Sequence, residues 1–134
     1  MIYVLDACAL IAYVRGESGK SVVEDILLDP RLQVIIHAIN MCEVYYDFVR
    51  AEGQKIADDV VEDSIAAGIE IREDLDLALW KAAGDLKAKL KRISLADAFA
   101  LAFARRMGAT LVTSDYKEFD NLTDLNICQI LFIR

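Results

Sequence analysis

The 134-residue chain is predicted to be an α/β protein, a single α/β/α sandwich built on a central parallel sheet of about five strands. Three observations predict it. Short apolar segments alternate with helical stretches along the chain, no two of these strands are joined by a hairpin turn, and one proline with six glycines leaves no flexible linker. An apolar share of 56% suffices for one core over residues 1–134 and excludes a disordered chain.

Ile2–Leu5 is short, apolar and β-favouring, and reads as a buried strand. Ala7–Val14, which follows it and ends at Gly16, suits a short helix. Ser18 is placed to cap a helix through about Leu28, stopped near Pro30. Gln33–His37 is a second strand. Asn40 is expected to cap a helix to about Glu52, a further helix spans Gln54–Ala67, and Gly68 leads into a third strand at Ile69–Arg72. Leu75, Leu79, Ala82, Leu86 and Leu90 recur at helical spacing and predict one buried helix face. Ser94 caps a helix through Met107, with Gly108 at its end. Thr110–Thr113 and Ile127–Ile133 complete the strands. In such sheets ligands bind beyond the carboxyl ends of the strands, and the functional reading starts from that rule.

Four acids fall near that edge. Asp6 closes the first strand and Asp115 lies two residues past the fourth, while Glu43 and Asp97 lie in the first turns of helices that begin there. Each also has a purely structural reading. Asp115 suits a turn, and Glu43 and Asp97 stand three residues after Asn40 and Ser94, the spacing of a capping box. Asp6 resists that explanation, because the other twelve of the thirteen residues in Ile2–Val14 are apolar. Asp97 is likewise the one non-apolar residue of the ten in Leu95–Ala104. A buried carboxylate needs a cation or must titrate, and no Lys or Arg is placed to pair with Asp6. A hard divalent cation, which takes oxygen ligands, answers both cases.

Other chemistries find little support. His37 is the only histidine and ends an apolar strand, which suits a core or strand-edge role and excludes histidine-pair and H-E-x-x-H zinc chemistry. There is no glycine-rich phosphate loop, and Cys8 stands where a dehalogenase-type phosphatase would carry a second Asp. Cys8, Cys42 and Cys128 lie in apolar stretches without C-x-x-C spacing and are expected to be free core thiols in a reducing compartment. The apolar run Ile2–Val14 has no basic start, contains Asp6 and is too short to span a bilayer, so no membrane segment and a cytoplasmic location are expected. The net charge of −7 opposes nucleic-acid binding overall, but Lys81, Lys87, Lys89, Lys91 and Arg92, followed by Arg105 and Arg106, form a local basic run.

The motifs Val4-Leu5-Asp6-Ala7-Cys8-Ala9-Leu10-Ile11, Asn40-Met41-Cys42-Glu43-Val44, Ser94-Leu95-Ala96-Asp97-Ala98 and Leu111-Val112-Thr113-Ser114-Asp115, with Phe119 and Leu122, resemble those of PIN-domain nucleases. The likeness is to the VapC-type toxins of prokaryotic toxin–antitoxin pairs, and it spans essentially the whole chain. It implies a helix-flanked parallel sheet and a metal-dependent endoribonuclease leaving 5′-phosphate and 3′-hydroxyl ends. It implies that Asp6, Glu43, Asp97 and Asp115 hold one or two Mg²⁺ or Mn²⁺ ions. Thr113 and Ser114 retain the hydroxyls expected before the last acid. Cys8 departs from the family's usual Ser or Thr, so Asp6 is held by a weaker donor. Lys87, Lys89, Lys91 and Arg92 are candidates for the RNA backbone or, equally, a solvated helix face. The expected partners are RNA, an antitoxin and a second copy of the chain. Val22, Val23, Tyr45, Tyr46, Phe48 and Val49 either pack the core or line a groove for the antitoxin. A PIN-like fold acting only as a protein-binding module, or on DNA, remains the alternative.

Overall fold

The computed structural model describes residues 1–134, apart from the side chain of Asp124. The chain runs β1 (Ile2–Leu5), α1 (Ala7–Arg15), α2 (Lys20–Leu28), β2 (Gln33–His37), α3 (Ala38–Glu52), α4 (Gln54–Ala66) and β3 (Ile69–Arg72). It continues through α5 (Leu77–Leu90), α6 (Leu95–Met107), β4 (Thr110–Thr113), α7 (Tyr116–Phe119), a 3₁₀ segment (Asp120–Leu125) and β5 (Gln129–Phe132). The five strands form one sheet in the order β3-β2-β1-β4-β5, with every pair parallel.

Consecutive residues of each central strand face opposite layers, as the two-residue period of a strand requires. Val4, Ile35 and Leu111 join the core beneath α5 and α6, where Leu79, Ala83, Phe99 and Phe103 also lie. Leu5, Ile36 and Val112 join the opposite core with Leu10, Val23, Val44 and Phe48. Burial on both faces explains why these strands read as unbroken apolar runs rather than alternating ones. From β1 the chain winds outward through β2 to β3, then returns to place β4 on the other side of β1. The crevice between β1 and β4 is therefore the switch point at which open α/β sheets bind ligands.

Several local expectations are corrected. Gly19, in the left-handed region at φ 99°, precedes α2, and no side chain of Ser18 caps it. His37 rather than Asn40 caps α3: its Nδ1 accepts from Ile39 N–H at 3.2 Å, and the helix starts three residues early. With Nδ1 accepting, Nε2 carries the proton and donates to the Asp74 carbonyl at 2.7 Å, so His37 is a buried, fully used core histidine between Phe99 and Phe103. Asp76 caps α5, which leaves Leu75 outside the helix and 55% exposed; the buried face is Leu79, Ala83 and Leu86, without Ala82. The last strand is shorter than its apolar run, and α7 with the 3₁₀ segment fills the stretch before it. Cys8 and Cys42 are free but exposed, not core thiols.

Candidate active site at the carboxyl edge

Asp6 is the residue at which β1 becomes α1. It caps α1 through Oδ1, which accepts from Ala9 N–H at 2.8 Å, while the residue stays 1% exposed. Its other oxygen, Oδ2, is buried and has no hydrogen-bond partner. Burial pushes its pKa from 3.8 to about 7; the Thr113 hydroxyl and the Ala9 amide oppose the rise, and Asp97 and Asp115 add to it. Thr113 is fully buried at the end of β4, and its Oγ1 accepts from Asp115 N–H at 2.9 Å. The same hydroxyl thus steadies Asp115 and bears on Asp6.

Asp97 lies in the first turn of α6, and its N–H donates to Ser94 Oγ at 3.0 Å, so Ser94 caps this helix as expected. Burial raises the Asp97 pKa to about 6; Ser94 opposes this, and Glu118, Glu43 and Asp115 reinforce it. Glu43 is not in the first turn of α3, which removes the capping-box reading for it. It is half-buried, and burial followed by the charge of Asp47 raises its pKa. The neighbouring cations serve Asp47 instead: Arg15 and Arg50 reach it at 2.9 and 2.8 Å. Asp115 caps α7 by accepting from Glu118 N–H at 3.0 Å, so its turn role and its place at the sheet edge coexist.

Cys8 reports the convergence of all four acids. Its thiol is pushed up to about 12 by burial first, then by Asp6, Asp115, Asp97 and Glu43 in turn. No cation enters the causes acting on Asp6, Cys8, Glu43 or Asp97. The charges that act on these four groups are all negative. Among the described residues, however, no three His, Cys, Asp or Glu side chains stand close enough to form a ready metal cage. The four acids share a field at Cys8 without forming a closed coordination sphere.

A family profile described as the PIN domain matches residues 3–125. The chain belongs to the PIN domain family. No curated protein matches the sequence. Among solved structures, the chain is similar to DNA-bound VapBC from Salmonella typhimurium, at 19% identity and TM-score 0.76, covering 100% of this chain and 99% of that one. It is similar to a toxin–antitoxin complex from Klebsiella pneumoniae at 19% identity and TM-score 0.73, with 98% of each chain covered. It is also similar to VapC20 of Mycobacterium tuberculosis, a sarcin–ricin loop cleaving toxin, at 15% identity and TM-score 0.70, covering 90% of this chain and 95% of that one. At these identities the likeness is one of fold.

The donor set of this PIN domain fits a divalent cation. The buried Oδ2 of Asp6, without a hydrogen-bond partner and in the field of Asp97 and Asp115, is an oxygen that a hard cation would satisfy. Two residues outside the four acids also bear on the site: Asn40, which the sequence suggests only as a cap, and Glu118, for which it gives no signal. Asn40, fully buried one turn before Glu43, donates from Nδ2 to the Ala96 carbonyl at 3.1 Å and ties α3 to the first turn of α6; its Oδ1 has no partner. Glu118 bears on Asp97 more strongly than Glu43 does. Asn40 reads by type as a cap, which hides its bond across to α6, and Glu118 lies in a short helix with no clear periodicity.

The basic run divides. Lys89 is paired with Asp85 at 2.8 Å and Lys87 donates to the Lys91 carbonyl at 3.0 Å, near the end of α5. Lys91 and Arg92 are exposed in the connection to Ser94. Arg105 and Arg106 end α6 at the opposite edge of the sheet, where Arg106 holds Asp76 at 2.7 Å, so they do not join the acid pocket. The expected groove is also corrected in part: Val23 and Phe48 are core residues, whereas Tyr46 and Val49 are 50% and 37% exposed. No helix among the described residues is long and apolar enough to cross a membrane.

Proposed function

We propose that this PIN domain is a metal-dependent endoribonuclease, the toxin of a VapC-type toxin–antitoxin pair. One observation carries the reading: Asp6, buried with an unpartnered oxygen, lies within electrostatic reach of Asp97 and Asp115 at the switch point of the sheet, and the charges that act on it are all negative. The fold likeness to a sarcin–ricin loop cleaving toxin and to a toxin–antitoxin complex supports RNA as substrate and an antitoxin as partner.

Asp6, Glu43, Asp97 and Asp115 would hold Mg²⁺ or Mn²⁺, which when bound acidifies a water and offsets charge on the phosphate. The protein's own part is to hold the carboxylates ready. The Ala9 amide fixes one oxygen of Asp6 and leaves the other available. Ser94 and Thr113 hold the backbone at Asp97 and Asp115. Those two acids are less buried than Asp6, and they are the ones open to the attacking water. In-line attack breaks the bond to the 3′ oxygen and leaves 5′-phosphate and 3′-hydroxyl ends. Tyr46 and Val49 on α3 leave apolar surface for an antitoxin segment, and a homodimer is expected.

Purified protein is expected to cleave total cellular RNA with Mg²⁺ or Mn²⁺, to stop on EDTA, and to leave DNA of equal sequence intact. Cleavage that survives the chelator would sink the metal reading. Coexpression with an adjacent antitoxin is expected to relieve growth arrest and yield a stable complex. A second reading, a protein-binding module without catalysis, is favoured by the lack of any ready-made ligand cage among the described residues. Calorimetry with Mn²⁺ separates the two, since such a module binds none at the acid cluster.

A further inference from the structure

An acid cluster on a chain of net charge −7 repels the phosphodiester it is meant to cut. The α5 lysines answer this poorly, because Lys89 is taken up by Asp85 and Lys87 by a backbone carbonyl. Two other cations border the acids directly. Lys117 and Arg134 line a cavity of about 440 Å³ together with Cys8, Ser114, Asp115 and Tyr116. Cys8 and Asp115 belong equally to the acid pocket, so cavity and pocket share a wall.

The cavity is organised around one carbonyl. Ser114 O accepts from Tyr116 N–H at 3.2 Å, starting α7, and from Arg134 Nε at 3.4 Å, which brings the guanidinium back over the end of β4. Among the described residues, neither Lys117 nor Arg134 forms an ion pair. Tyr116 packs against Phe132 at 4.9 Å between ring centroids, and the residue is 54% exposed. Two unpaired cations beside an exposed aromatic ring are the elements that hold single-stranded nucleic acid: charge for the backbone, a π-face for the base.

We propose that this cavity is the nucleotide subsite next to the scissile bond. Lys117 and Arg134 hold the neighbouring phosphate of single-stranded RNA, and its base stacks on Tyr116. The proposal rests on the ribonuclease reading above and adds the side from which the strand enters: past α7 and the end of β5, not along α5.

The test is steady-state kinetics of Lys117→Ala/Arg134→Ala, on an RNA the wild type cleaves, over a range of salt. KM is expected to rise about tenfold with kcat within about twofold. Losing the hold on one phosphate of a single strand should make the slope of log KM against log salt shallower by about 0.7. Lys117→Arg should keep KM near wild type, and Arg31→Ala, at the far edge of the sheet, should change nothing. Should the double variant melt early, Lys117→Gln carries the test with half the change in slope. Unchanged KM and slope in a folded variant overturn the subsite, as does a loss that follows Lys87→Ala/Lys91→Ala instead. A wild type that cleaves no RNA overturns the nuclease reading and the subsite with it.

Discussion

Asp6 and Asp76 do the same local job with opposite electrostatic outcomes. Each caps a helix by accepting from the N–H three residues on, at 2.8 Å for Asp6 and 2.9 Å for Asp76. The guanidinium of Arg106 grips Asp76 through both carboxylate oxygens, and this with the Leu79 amide holds its pKa at about 2. Asp6 is buried without a cation, and its pKa rises to about 7. Asp74, beside Asp76, repeats the first pattern, with Arg72 lowering it; Asp97 repeats the second. A cap alone accounts for Asp76. It leaves Asp6 and Asp97 at a cost in stability, and residues kept at such a cost are where function is to be sought.

The largest effect that tests this contrast comes from Asp6→Asn. Asparagine caps a helix as well as aspartate, so α1 survives. Turnover is expected to fall roughly a hundredfold or more. Metal-free protein should gain about 2–4 kcal/mol at neutral pH, because the charge no longer has to be buried. Denaturant unfolding with chelator, set beside the cleavage assay, reads both. A variant that loses stability and keeps activity would make Asp6 a structural cap like Asp76.

The pH dependence of the metal-free protein follows from the same residue. The folded pKa of Asp6 lies above its ordinary value of 3.8, so the native state holds a proton that the unfolded chain releases. Its contribution is therefore full below pH about 4 and is lost as pH rises through about 7, by on the order of 4 kcal/mol. Asp97 acts in the same direction up to about 6. Unfolding in urea across this range should show stability falling with pH. Saturating Mn²⁺ should flatten or reverse that slope, since the cation takes the place of the protons. A flat profile in chelator would contradict the uncompensated burial of Asp6.

Asn40→Ala probes the brace between α3 and α6. Losing the bond to the Ala96 carbonyl is expected to cost about 1–3 kcal/mol. Mn²⁺ affinity should fall about tenfold, as when a residue that orients ligands is removed. If stability falls and Mn²⁺ affinity does not, Asn40 serves packing alone. The smallest effect is expected of Asp76→Asn, which keeps the cap and loses an exposed ion pair. Its stability should stay close to that of the wild type, with cleavage unchanged. A large loss of activity there would erase the distinction between the two sets of aspartates.

Much of this was legible from residue order. The alternation of apolar strands with helices, the stop at Gly108 and the cap at Ser94 are local signals, and the elements formed where those signals are strong. Local signals failed where one polar residue competes with another. Asn40 is a good cap by type, but His37 stands at the strand's end, and its ring nitrogen reaches Ile39 N–H first. Leu75 has helical spacing, but Asp76 starts the helix after it. The short helix α7 was missed because it is set by one capping carboxylate, Asp115, rather than by a periodic face.

By itself the sequence determined the class of the fold and the unease of Asp6 and Asp97, since burying an acid within an apolar run carries a penalty whatever surrounds it. Which acids share one pocket was decided only by the tertiary structure. Strand order brings β1 beside β4, and with it Asp6 into reach of Asp115, residues more than a hundred positions apart. Tertiary structure also decided where the cations went. Composition suggested a basic lip on α5, but distances assign Lys89 to Asp85 and Arg106 to Asp76. Lys117 and Arg134, distant in sequence, are brought by α7 and the end of β5 to the same cavity wall. Charge counts along a chain do not show which ions are already paired, because pairing is set by separations of a few ångströms that only folding creates.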